Sequence, residues 1–114
     1  MIKQQLQRLE QETDLETVLE VIQLFMQSAP NQLREMRALQ EKADWEKLST
    51  TAHAMKGNMA YLGSKQGWKQ CAKIEAMCAK RSLVDVDNHL KKLALQLEEA
   101  FPYLQQVLDT GHIG

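Results

Sequence analysis

Apolar residues return along this chain at spacings of three and four, the repeat of an α-helix, and nowhere in the strict alternation of a strand. Ile2, Leu6 and Leu9 predict a short leading helix. Thr13-Asp14-Leu15-Glu16 has the form of a capping box, and Leu15, Val18, Leu19, Ile22, Phe25 and Met26 follow it, so a helix is predicted from about Asp14 to Gln27. Ser28-Ala29-Pro30 breaks this pattern, and Pro30 suits the first turn of another helix carrying Leu33, Met36 and Leu39 and ending near Lys42. Asp44 is a good N-cap for the clearest amphipathic helix, in which Trp45, Leu48, Ala52, Met55, Met59 and Leu62 recur before Gly63 closes it. Ser64 opens the next, with Trp68, Cys71, Ile74 and Cys78 inward and an end near Arg81. The last helix is predicted from about Asp85 past Leu90, Leu93, Leu97 and Phe101, kinked or interrupted at Pro102, with a tail at 109–114 that frays.

The connections between these segments are short, which makes consecutive helices antiparallel neighbours, and an up-down helical bundle is the expected all-α architecture. At 114 residues the chain suits one domain, 1–114, with a single core. Its 44% hydrophobic and 25% charged residues are ordinary for a globular chain, and its 5 Gly and 2 Pro disfavour disorder and all-β folds.

Charge and cysteine content narrow the partners. With 14 basic residues against 15 acidic ones, the net charge of −1 provides no positive field for a nucleic acid backbone. No segment approaches the roughly 20 apolar residues of a membrane span, and the first ten residues lack the apolar run of a signal peptide, so a cytoplasmic protein is expected. Cys71 and Cys78 stand seven apart on one helix, about 10 Å along its axis at about 1.5 Å per residue, too far for a disulfide. They read as buried thiols in a reducing compartment.

Candidate chemistry lies on the amphipathic helix that begins after Asp44. At about 100° per residue, its apolar stripe centres near Ala52 and Met55, and His53 turns toward solvent. Ser49, Lys56, Gly57 and Ala60 are neighbours of His53 within one or two turns. Gly57 is unexpected, because an interior helix glycine costs about 1 kcal/mol relative to alanine and no cap or turn requires it there. Either it leaves room beside His53 for a bulky partner or it permits a close helix crossing inside the bundle. Lys56 is placed to neutralise oxygens of a phosphoryl group on the imidazole, and its charge disfavours the imidazolium form. His89 and His112 read as ordinary surface residues.

The run Thr50-Thr51-Ala52-His53-Ala54-Met55-Lys56-Gly57, followed by Leu62-Gly63 and by Cys71-Ala72-Lys73-Ile74-Glu75, resembles the histidine-containing phosphotransfer (HPt) domains of multistep phosphorelays. The resemblance extends to the Phe25 helix, the Pro30 helix, the Asp44-Trp45 start and the long final helix. It implies a four-helix bundle with an additional short N-terminal helix, a phosphorylated His53, a supporting Lys56, and Gly57 as clearance for a receiver domain. It places Glu75 on the neighbouring helix facing the histidine, as a supporting residue or a solvated charge. It also implies transfer between His53 and receiver aspartates of a response regulator and of a hybrid sensor histidine kinase. The divalent metal then belongs to the receiver, with no cofactor or metal in this chain and no kinase activity of its own; a monomer is expected. Ser49, Ala60, Gln66, Lys69 and Lys73 are the expected rim of the partner-binding face.

Two other functions compete. A receiver-docking or scaffold bundle without phosphotransfer has no use for the His53-Lys56-Gly57 set. A di-metal carboxylate enzyme would use Glu-x-x-His pairs, which the chain lacks, and Asp85 with His89 supplies only two ligands.

Overall fold

A computed structural model describes residues 2–114 as five helices: α1 Ile2–Glu12, α2 Leu15–Glu41, α3 Trp45–Leu62, α4 Lys65–Lys80 and α5 Leu83–Thr110. No strand occurs among the described residues. The packing pairs are α2 with α3, α3 with α4, α4 with α5 and α5 with α2, a closed ring of four, and α1 lies across α2 and α3. The two-residue and three-residue connections leave consecutive helices of the ring antiparallel. The expected four-helix bundle with a short extra N-terminal helix is therefore the fold, 42 Å along its longest dimension.

Local chemistry explains most helix ends. Asp44 accepts from the Lys47 amide and Ser64 from the Gly67 amide, each satisfying a donor that the first turn leaves free. Gly63 closes α3 at φ 89°, a left-handed position that costs glycine little. At the start of α2 the cap is Asp14, which accepts from the Thr17 amide at 2.7 Å, while the Thr13 hydroxyl turns back to the Leu9 carbonyl and finishes α1. The helix cap is thus Asp14, one residue after Thr13. α5 starts two residues earlier than expected, after Ser82, whose hydroxyl donates to Asp85. Its helix runs to Thr110 and turns on Gly111, and Ile113 packs against the core.

Pro30 departs from expectation, and at Pro102 the helix is not interrupted. α2 runs without a break through Pro30, joining the two helices expected on either side of it, and α5 runs through Pro102. An interior proline forfeits a backbone hydrogen bond and costs roughly 3 kcal/mol, so something must offset it. Ile22, Phe25, Ala29, Met36 and Leu39 are all buried on both sides of Pro30, and Val86, Leu90, Leu93, Leu97, Leu104 and Val107 do the same for α5. The two helices pack against each other, with the Phe25 and Phe101 rings edge to face at 6.3 Å. At about 1.5–3 kcal/mol for each fully buried aliphatic side chain, keeping these stripes in register outweighs the proline defects.

Candidate functional site

α3 and α4 carry the chemistry. The inner face of α3 buries Leu48, Ala52, Met55, Met59 and Leu62, and this anchors the helix rotation so that His53 stands outward with 70% of its side chain exposed. α4 buries Gly67, Gln70, Cys71, Ile74 and Cys78 and thereby directs Glu75 toward α3. Gly67 makes the α3–α4 approach possible: a β-carbon there would stand 2.5 Å from the Met59 sulfur.

Across that contact Glu75 joins the two other site residues. Its Oε2 lies 3.1 Å from His53 Nδ1 and its Oε1 lies 2.7 Å from Lys56 Nζ. Oε1 is closed to solvent and has the Lys56 ammonium as its partner. Burial pushes the Glu75 carboxyl upward, but hydrogen bonds from Lys56 and His53 and their charges outweigh it and hold the carboxyl below its ordinary value. An ionised carboxylate only accepts, so in the neutral form of the ring its one proton belongs on Nδ1. Nε2 is then the nitrogen with a free lone pair.

Lys56 is held from a second side. Its Nζ lies 5.8 Å from the centre of the Trp68 ring, within cation–π range. Trp68 was expected inside the bundle, yet it is 43% exposed at the edge of the α3–α4 contact. The inward positions of α4 are taken by smaller residues, and Trp68 lies one side of them, over the lysine.

Gly57 opens onto empty space, since a β-carbon built there meets nothing within 4 Å. The close-crossing explanation for this glycine is excluded. Ala60 is exposed on the same face and Ser49 is half-buried one turn before His53. Lys69 shares a groove with Ala60 and Trp68 beside the site. Gln66 lines a neighbouring groove with Ile2, Gln96 and Tyr103, and the Lys73 charge acts on His89 of α5.

His89 is also more than a surface residue. It is half-buried, and its Nδ1 lies 2.9 Å from Oε1 of the buried Gln70. Burial, followed by the charges of Lys73 and Lys92, holds its pKa below the ordinary value against the opposing charge of Asp85. Its place at an α4–α5 contact is invisible to helical periodicity on one strand of sequence. Cys71 and Cys78 are buried free thiols, and burial together with the Glu75 charge pushes Cys71 to about 12, far from reactive. No group of three or more His, Cys, Asp or Glu side chains among the described residues could hold a metal ion. No helix among them is long and apolar enough to cross a membrane.

The chain is 25% identical over 116 residues to histidine-containing phosphotransfer protein 1 of Arabidopsis thaliana, an alignment covering 94% of this chain and 75% of that protein. No solved structure matches it. The Hpt domain family matches residues 20–110, from within α2 to the end of α5, and therefore takes in most of the four-helix ring with His53, Lys56 and Glu75. The chain belongs to the Hpt domain family, whose general role is histidine phosphotransfer.

Proposed function

We propose that His53 receives a phosphoryl group on Nε2 from the aspartyl phosphate of one receiver domain and gives it to the aspartate of another. The observation that carries this reading is the Nδ1 to Glu75 contact of 3.1 Å on an otherwise exposed ring, which holds the proton on Nδ1 and points the Nε2 lone pair at solvent. In the forward step Nε2 attacks phosphorus in line, the N–P bond forms, and the P–O bond to the aspartyl carboxylate breaks. The ring gains positive character as it does so, and Glu75, hydrogen-bonded at Nδ1, offsets it.

Lys56 then has two anions within reach. Its ammonium leaves or shares the Glu75 carboxylate to meet the phosphoryl oxygens, a short movement because the lysine is already held beside the ring by Glu75 and Trp68. Gly57 leaves the face low enough for the receiver to bring its aspartate to bonding distance. The receiver contributes the divalent metal, and this chain is a phosphoryl carrier without kinase activity. The partners are a response-regulator receiver and a hybrid sensor histidine kinase, and the setting is the cytoplasm.

The test is transfer of radiolabelled phosphate from phosphorylated receivers to the native chain and to His53→Gln. Acid-labile label on the native chain alone is the expected result. A folded native chain that takes no label from any of several receivers would leave a docking or scaffold role instead.

A further inference from the structure

Beside the site lies a groove of about 590 Å³ where α1, the end of α3 and the start of α4 meet. Its wall holds Arg8 of α1 and Lys65 and Lys69 of α4, with Trp68 and Ala60 as its apolar part, and no carboxylate lines it. None of the three cations forms an ion pair among the described residues. A chain with net charge −1 thus concentrates three unpaired positive charges around one exposed tryptophan.

The groove is continuous with the phosphotransfer site. Trp68 forms part of the wall and also lies over Lys56, and Ala60 stands on the His53 face of α3. A protein seated over His53 and Gly57 has this groove at its edge. α1 is outside the four-helix ring, yet Leu6 and Leu9 are buried and hold Arg8 in place.

From this we infer that the groove is a second docking point for the receiver that exchanges phosphate with His53, and that α1, through Arg8, helps decide which receiver is accepted. The occupant is a segment of that receiver carrying an apolar side chain flanked by carboxylates: the apolar group sits on Trp68, and the carboxylates meet Arg8, Lys65 and Lys69. Exposed tryptophan and arginine are the residues that most often dominate a protein interface, and rim charge of one sign steers and selects a partner of the other. The inference rests on the phosphotransfer reading of His53.

The experiment pairs Arg8→Glu/Lys69→Glu with a control of equal charge change on the far side of the bundle, Arg34→Glu/Arg37→Glu. Both are assayed for transfer from a phosphorylated receiver over a range of receiver concentrations, and for labelling of His53 by phosphoramidate, a small donor that needs no docking. The groove variant should raise the receiver KM about tenfold or more with kcat changed less than about twofold, and weaken the salt dependence of KM. Phosphoramidate should label it like the native chain, and circular dichroism should show unchanged helix content. The control should shift KM less than about twofold.

An unchanged KM in the groove variant would overturn the docking point. So would an equal rise in the control, which would mean general attraction rather than a local seat, or a parallel loss of phosphoramidate labelling, which would mean damage to His53 itself. A native chain labelled by neither receiver nor phosphoramidate would remove the phosphotransfer reading and this inference together.

Discussion

The two faces of α3 are built from the same helix to opposite ends. On the inner face Leu48, Ala52, Met55, Met59 and Leu62 are sealed, and the glycine that serves this face, Gly67 of α4, has its missing side chain replaced by Met59. On the outer face His53 is largely exposed, and Gly57 has nothing where its side chain would be. One glycine is required by packing within the chain; the other has no internal reason and lowers a surface. Since an interior helix glycine costs about 1 kcal/mol against alanine, the outer face gives up stability for access.

Substitutions at matched positions sharpen that contrast. The largest effect belongs to Met59→Ala, which should cost about 2–5 kcal/mol in urea denaturation through lost burial and the cavity left behind. Phosphoramidate labelling of the fraction that remains folded should be unaffected. A loss below about 0.5 kcal/mol would show that the α3–α4 contact is not close-packed in solution.

Gly67→Ala comes next. The added β-carbon forces the buried Met59 side chain and the Ser64 cap to shift, so overpacking of about 1–3 kcal/mol should exceed the helix-propensity gain and lower the thermal midpoint. Gly57→Ala should move the midpoint the other way, by about 0.5–1 kcal/mol of added stability. Gly57→Leu should remain as helical as the native chain while receiver-driven transfer falls about tenfold or more, because a bulky group now stands in the approach path. A destabilised Gly57→Ala would break the comparison, for it would give the outer glycine an internal role.

The smallest effect concerns the link between the faces and pH. The Glu75 carboxyl lies below its ordinary value in the folded chain, so its pairing contributes stability that is fully present above about 4.5 and is lost as pH falls through the lower native value. Glu75→Gln should remove this part of the acid sensitivity, a difference under about 1 kcal/mol because the pair is partly solvated. Denaturation midpoints of the two proteins measured across the acid range should converge at low pH. Parallel curves throughout would mean that the carboxylate is not paired in solution.

Much of this molecule was legible from spacing alone. The rotation of α3, the caps at Asp44, Ser64 and Gly63, the exposure of His53 and the burial of both cysteines all follow from positions within one turn or one helix face. Such features depend on neighbours no more than a few residues away, and a sequence displays those directly. Gly57 was visible as an anomaly, although its two explanations could be separated only by finding the space beside it empty.

The tertiary structure decided what depends on how one helix is set against another. Continuity through Pro30 and Pro102 is such a case: the local rule disfavours it, and the buried stripes that α2 and α5 present to the bundle override the rule. The outward place of Trp68 over Lys56 and the pairing of Gln70 with His89 are others. Most consequential is Glu75, whose residue type and helix were readable but whose reach to both His53 and Lys56 was not. A carboxylate on α4 finds an imidazole on α3 only when the relative rotation and axial register of the two helices agree to within a hydrogen bond. That agreement is set by the packing of Met59 over Gly67, a contact between residues that carry no chemistry of their own.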